Sequence, residues 1–226
     1  MDHQNDKVRI LDLSGYTYSG KSAFSDFFRG VDTFSVPGNE VEFDLVRIKN
    51  GLLDLKDALT TSSWSLIRSS NAIADFKSVN KKLCGGMRLL DRLFTPGTHL
   101  EKNYPGIKSA SYDLVSKVVQ GKQLGDWPFY DPNCGGLTIL IRKLRRKLGF
   151  KLNDKIYISR LRLDEFDNLV NETIGECIKT DIYNKHTYKV INNAFETSDP
   201  MKSLTMFPGS KSIIVDRDPR DIYKRN

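Results

Sequence analysis

The chain opens on a short apolar run, Val8, Ile10, Leu11 and Leu13, which predicts a buried strand over residues 8–13. A glycine- and hydroxyl-rich stretch follows, and then Ala23-Phe24-Ser25-Asp26-Phe27-Phe28 reads as the first turns of a helix. A second strand is expected at residues 33–36, stopped by Pro37-Gly38. From residue 52 the apolar period turns helical. Residues 52–59 and 64–76 predict two helices, with Thr60-Thr61-Ser62-Ser63 as break and cap between them. Further helices are expected at residues 87–94, up to the Pro96-Gly97 turn, and at residues 112–119. Loops are expected at residues 125–128 and 131–133. Gly135-Gly136 then opens a helix whose apolar side is Leu137, Ile139, Leu140, Ile141, Leu144 and Leu148.

The strongest helical period spans residues 159–179, where Leu163, Phe166, Leu169, Val170, Ile174, Cys177 and Ile178 recur at steps of three and four. Asp164, Glu165 and Asp167 load its first turns, as the helix dipole favours. Residues 187–191 then predict a strand ending at Asn192-Asn193, residues 199–206 a short helix, and residues 212–215 a buried strand ending at Asp216-Arg217. Strands alternating with helices at both ends imply an α/β protein with a parallel, doubly wound sheet. The whole chain reads as one domain, with a core from residues 1–50 and 181–226 and a large helical insertion or cap at about 51–180. In such sheets ligands bind at the carboxyl ends of strands. Lys21, residues 37–42, Asn192-Asn193 and Asp216-Arg217 all fall there and can converge.

Composition narrows the class. The chain has 226 residues, 39% hydrophobic and 28% charged, enough for a real core and ordinary for a soluble protein. No apolar run reaches the length of a membrane span. The polar, acidic N-terminus reads as neither a secretory signal nor a transit peptide, and Cys84, Cys134 and Cys177 are odd in number and far apart. Together these predict a cytoplasmic protein without a disulfide framework or a zinc site. Cys177 reads as core on its apolar stripe. The net charge of +7 favours an anionic partner. Its densest cluster is Arg142, Lys143, Arg145, Arg146, Lys147 and Lys151, which reads as a solvated helix face or as a lid over an anionic ligand. No recognition motif accompanies it, so specific nucleic-acid binding is not expected. Trp64 and Trp127 read as packing rather than as sugar platforms.

The chemistry centres on Gly15-Tyr16-Thr17-Tyr18-Ser19-Gly20-Lys21-Ser22, which fits the phosphate-loop (Walker A) pattern G-x-x-x-x-G-K-[ST] between a strand and a helix. Successive backbone N–H groups and the helix N-terminus form an anion site, Lys21 adds a mobile charge, and Ser22 offers a hydroxyl. Gly15 to Ala23 are the candidate nucleotide-binding residues. This gives a P-loop NTPase-like, three-layer expectation for the fold. Glu40 and Glu42, just past the second strand, are carboxylates that could act as a general base or simply be surface groups. His186 is a further base candidate, and Arg47 and Lys49 could meet an acidic acceptor.

With this loop, the segment Ile213-Ile214-Val215-Asp216-Arg217-Asp218-Pro219-Arg220-Asp221-Ile222-Tyr223 resembles the P-loop sulfotransferases, of the bacterial, glycan-acting type. The resemblance covers the two ends of the chain, and the helical middle matches nothing. It implies transfer of a sulfuryl group from 3′-phosphoadenosine 5′-phosphosulfate to a hydroxyl, expected on a carbohydrate. The glycine loop would hold the 5′-phosphosulfate and Arg217 the 3′-phosphate, with Lys21 catalytic and a glutamate base, Glu42 before Glu40. No metal ligand is implied. Three features depart from the family. Arg225 stands where a serine is usual, and the loop is the full kinase-like Gly20-Lys21-Ser22. The chain also stops at Asn226, which predicts a C-terminus shortened relative to the family.

Two other classes stay open. A P-loop kinase or NTPase would use Mg-ATP, with Asp216 as metal-binding acid beside the Ser22 hydroxyl. A non-catalytic module would use the basic helix on nucleic acid and leave the loop without a role.

Overall fold

Why β1 (Arg9–Gly15) is central follows from its side chains: six of its seven residues are buried. In the computed structural model, which describes residues 9–16, 19–38, 41–85, 99–180, 187–218 and 220, it lies inside a parallel sheet. The chain then forms α1 (Lys21–Arg29) and the two-residue β2 (Phe34–Ser35). Next come α2 (Leu52–Thr60), α3 (Leu66–Cys84), α4 (His99–Asn103) and α5 (Ile107–Val118). A hairpin of β3 (Gly121–Gly125) and β4 (Asp154–Ile158) brackets a 3₁₀ turn, Pro128–Asn133, and α6 (Gly136–Lys147). After it, α7 (Leu163–Val170) runs through a π turn, Asn171–Gly175, into α8 (Glu176–Lys179). β5 (Tyr188–Asn192), α9 (Met201–Leu204) and β6 (Lys211–Val215) complete it.

The sheet order is β2-β5-β1-β6, all parallel. Because strand side chains alternate, β1 serves two layers. Leu11 and Leu13 face α1, packing with Phe28 and Val190. Ile10 faces the other way, into the main core with Phe43, Leu55, Phe76, Phe166, Ile191 and Phe207. That core runs without a break from the sheet into α2, α3, α5 and α7.

Three expectations are corrected. The middle segment is not all helical, since it contains the β3–β4 hairpin. The strand Asp154–Ile158 is followed by non-helical chain at residues 159–162, so the long helix begins at Leu163 rather than at residue 159. The second strand shrinks to Phe34–Ser35. The helix expected at residues 87–94 lies outside the described residues. Among the described residues, no helix is long and apolar enough to cross a membrane.

Helix α6 buries none of its residues. It is held by charge instead. Arg142 grips Asp154 through two bonds of 2.7 Å and also donates to Asp131, while Arg146 donates twice to Asp126 at 2.8 Å and again to Asp131. Hydrogen bonding to Arg142 holds the Asp154 carboxyl below the usual range, and Arg146 does the same for Asp131. Part of the basic cluster is thus neutralised internally. Arg142→Met is expected to lose about 2 kcal/mol of docking, seen as faster amide exchange in α6 while the core stays protected. Because both aspartate values are lowered, this docking is intact above the ordinary aspartate range and fails as pH falls through the lowered values.

Candidate functional site

At the carboxyl end of β1 the backbone is packed too closely for a side chain. A Cβ on Gly15 would stand 2.6 Å from Ser19 Oγ and 2.7 Å from the Val215 carbonyl. The Gly15 N–H donates to Asn193 Oδ1 at 3.0 Å. Ser19 N–H donates to the Tyr16 carbonyl at 3.1 Å, closing the turn, and Gly20 takes the left-handed conformation at φ 92°. Helix α1 then starts at Lys21 with no side-chain cap. Ala23 N–H donates to the Gly20 carbonyl at 3.1 Å, and the N-terminus of α1 faces the loop. Ser19 Oγ is buried without a hydrogen-bond partner among the described residues.

This loop forms one wall of a cavity of about 560 Å³, through Gly15, Tyr16, Ser19, Gly20, Lys21 and Ser22. The other wall comes from Glu42, Arg47, Asn193, Glu196 and Thr197. Glu42 reaches it because its segment pairs briefly with the end of β5. Glu42 bridges to Asn192, and Phe43 N–H donates to the Asn192 carbonyl at 2.8 Å. The Glu42 carboxylate is then gripped from three sides. Arg47 Nη2 donates to Oε2 at 3.0 Å, Asn193 Nδ2 donates to Oε1, and Lys21 Nζ lies 3.7 Å from Oε1. Nearby Asp44 has its carboxyl pushed up, first by burial and then by the Glu42 charge.

Asn193 joins these parts. Its φ of 49° is a conformation that asparagine tolerates better than most residues, and its N–H continues the sheet ladder to the Leu13 carbonyl at 2.9 Å. One side chain therefore spans Gly15 and Glu42.

On the same strand, ahead of Gly15, Asp12 is fully buried on the core face of β1. It accepts from the hydroxyls of Ser14 at 2.7 Å and Ser212 at 2.8 Å, and from the amides of Ala194 at 3.0 Å and Phe195 at 3.4 Å. Burial pushes its carboxyl up, although all four donors oppose the shift. The carboxylate thus ties β1, β6 and the loop after β5, the loop that delivers Glu196 and Thr197. The nearby Tyr104 hydroxyl is buried without a partner among the described residues, and burial and the Asp12 charge raise its value.

The remaining expected residues are more scattered. Ala23 borders a separate apolar hollow of about 390 Å³ with Phe24, Phe27, Phe28 and Ile213. Arg217 is half-buried and Asp216 exposed, and neither lines the larger cavity. Asp216 accepts from the Arg217 N–H at 2.8 Å. The pairing of Gly15 with Val215 nonetheless sets the backbone of this motif beside the mouth of the glycine loop. Lys49 is exposed. Thr17, Tyr18, Glu40, His186 and Arg225 lie outside the described residues. Cys177 is half-buried with its thiol directed to the Pro105 carbonyl, and burial pushes the Cys84 thiol up to about 12. Both tryptophans pack: Trp64 Nε1 donates to the Ser159 carbonyl at 2.7 Å, and Trp127 Nε1 donates to Asn71 at 3.4 Å.

Asp12, Glu196 and Thr197 were not singled out by the sequence. Asn193 was placed by position only, through the Asn-Asn pair after a strand, where a left-handed residue is permitted. Comparison with family models, with curated proteins and with solved structures finds no match to this chain.

Proposed function

We propose that this chain is a P-loop sulfotransferase that moves a sulfuryl group from 3′-phosphoadenosine 5′-phosphosulfate to a hydroxyl, with a carbohydrate as acceptor. The observation that carries the reading is the meeting of Lys21 and the Glu42 carboxylate in one cavity. The residues fit the donor's 5′ end. The start of α1, which no side chain caps, presents amide donors, and the glycine at position 15 keeps the backbone close. The cavity of about 560 Å³ lies within the usual range for small-molecule sites. The backbone neighbourhood of Arg217 at the loop mouth supports a role on the 3′-phosphate.

When bound, the donor supplies an activated sulfuryl group. Lys21 and the loop amides meet the negative charge that grows on the leaving phosphate oxygen. Glu42 takes the acceptor hydroxyl's proton. An ionised carboxylate has about four acceptor positions, so Arg47 and Asn193 fix its orientation without filling it. Arg47, already at the cavity wall, attracts an acidic acceptor.

A second reading, a Mg-ATP-dependent kinase or NTPase, draws support from Ser22 and from two carboxylates, Glu42 and Glu196, in the same cavity. Calorimetry separates the two. The sulfotransferase predicts tight binding of adenosine 3′,5′-bisphosphate without magnesium, and Glu42→Gln that keeps this binding while turnover drops by about 10²-fold or more. Magnesium-dependent ATP binding with no preference for a 3′-phosphate would remove the sulfotransferase reading.

A further inference from the structure

The apolar side of α6 faces away from the protein. Leu137 is 74% exposed, Leu140 64%, Leu144 55% and Leu148 62%. With Ile141 they fall within an arc of about 100° around the helix. The opposite side carries Arg142 and Arg146, pinned to Asp126, Asp131 and Asp154 on the hairpin and 3₁₀ turn. The anchor therefore sets the apolar stripe outward. Helix propensity adds nothing to this choice; it is the ion pairs that fix the rotation.

The shoulders of the stripe are cationic on both sides. On the wheel, Arg145 borders one edge and Lys143 and Lys147 the other; all three are exposed and make no ion pair among the described residues. The helix contains no acidic residue. At its end Gly149, at φ 76°, turns the chain, with Phe150 N–H donating to the Arg145 carbonyl at 3.0 Å, and Phe150 is itself 63% exposed. That is the closing bond of a Schellman cap.

We propose that α6 is an interfacial helix that docks this protein on an anionic lipid surface. Charge complementarity selects the occupant. A second copy of the chain would bring Lys143, Arg145 and Lys147 against their own kind along the seam. An anionic bilayer instead receives the leucines at the acyl boundary while all three cations reach headgroup phosphates on both shoulders. The inference is independent of the chemistry assigned to the glycine-loop cavity.

The test is flotation of the full chain with vesicles of phosphatidylserine and phosphatidylcholine against vesicles of phosphatidylcholine alone. Wild type is expected to float with the anionic vesicles only. The triple change Lys143→Gln, Arg145→Gln, Lys147→Gln is expected to weaken binding about a hundredfold. Leu144→Ser with Leu148→Ser is expected to weaken it at least about tenfold. These side chains are exposed, so thermal melting should report unchanged folding for both variants. Absence of wild-type flotation, equal flotation with neutral vesicles, or flotation that neither variant reduces would overturn the proposal. So would a dimer in sedimentation velocity that Leu144→Ser dissolves. Capture of an acidic amphipathic helical peptide by a chain that ignores vesicles would reassign the face to a protein partner.

Discussion

Lys21→Ala is expected to weaken binding of adenosine 3′,5′-bisphosphate about a hundredfold, the loss typical of removing a charged donor from a preorganised anion site. The fold should survive. The Lys21–Glu42 pair is partly exposed, and such pairs contribute little to stability, so urea unfolding is expected to shift by less than about 1 kcal/mol. The Glu42 carboxylate keeps Arg47 and Asn193 when Lys21 is removed, so the rest of the site stays in place. Lys21→Arg should rescue only part of the affinity, because a planar guanidinium cannot follow a phosphate oxygen as a compact ammonium does. Nucleotide affinity untouched by Lys21→Ala would count against both nucleotide-dependent readings.

Asp12→Ala should have the largest effect on stability, about 3 kcal/mol in urea unfolding. It strips the amides of Ala194 and Phe195 and the hydroxyls of Ser14 and Ser212 of a shared acceptor in a region water does not reach. Asp12→Asn keeps one acceptor oxygen and should lose only about 1 kcal/mol, since a serine hydroxyl can rotate to accept from the new amide. The pH dependence has a definite sign. Burial raises the folded value of Asp12, so its contribution is fully present below the ordinary aspartate value and is lost as pH rises through the raised one. Wild type should therefore gain on Asp12→Asn as the solution is acidified from neutrality. A gap between the two that widens in the opposite direction would show that hydrogen bonding to the ionised form outweighs desolvation.

Much of the sheet was legible because its strands are short apolar runs ended by glycine, asparagine or aspartate. The glycine loop was legible because Gly15, Gly20 and Lys21 occur at a spacing with a mechanical reason. The hairpin was not. Lys122, Gln123, Asp154 and Lys155 are polar, and a two-stranded ribbon with one exposed face carries little period-two signal beside strong helical neighbours. The outward turn of α6 was equally hidden. Its leucine period looks like that of any core-facing helix, and the deciding contacts come from Asp126, Asp131 and Asp154 on other elements. Asp12 escaped notice because a lone acid within an apolar strand says nothing of donors some 180 residues away, as the Asp12–Ala194 bond shows. Glu42 could be proposed from its place after the second strand, but its grip by Asn193 required the fold.

The middle position of β1 also governs the order of assembly during synthesis. Leu11 pairs with Val190 on one side and Lys211 on the other, so β1 has no sheet neighbour until about 180 further residues have been made. At about 5–20 residues per second, the ribosome leaves Ile10, Leu11 and Leu13 waiting for roughly 10–40 s. The glycine-loop cavity is thus among the last features to form, after a helical body that assembles from nearer contacts. The apolar side chains of β1 must stay unpaired without aggregating through that interval.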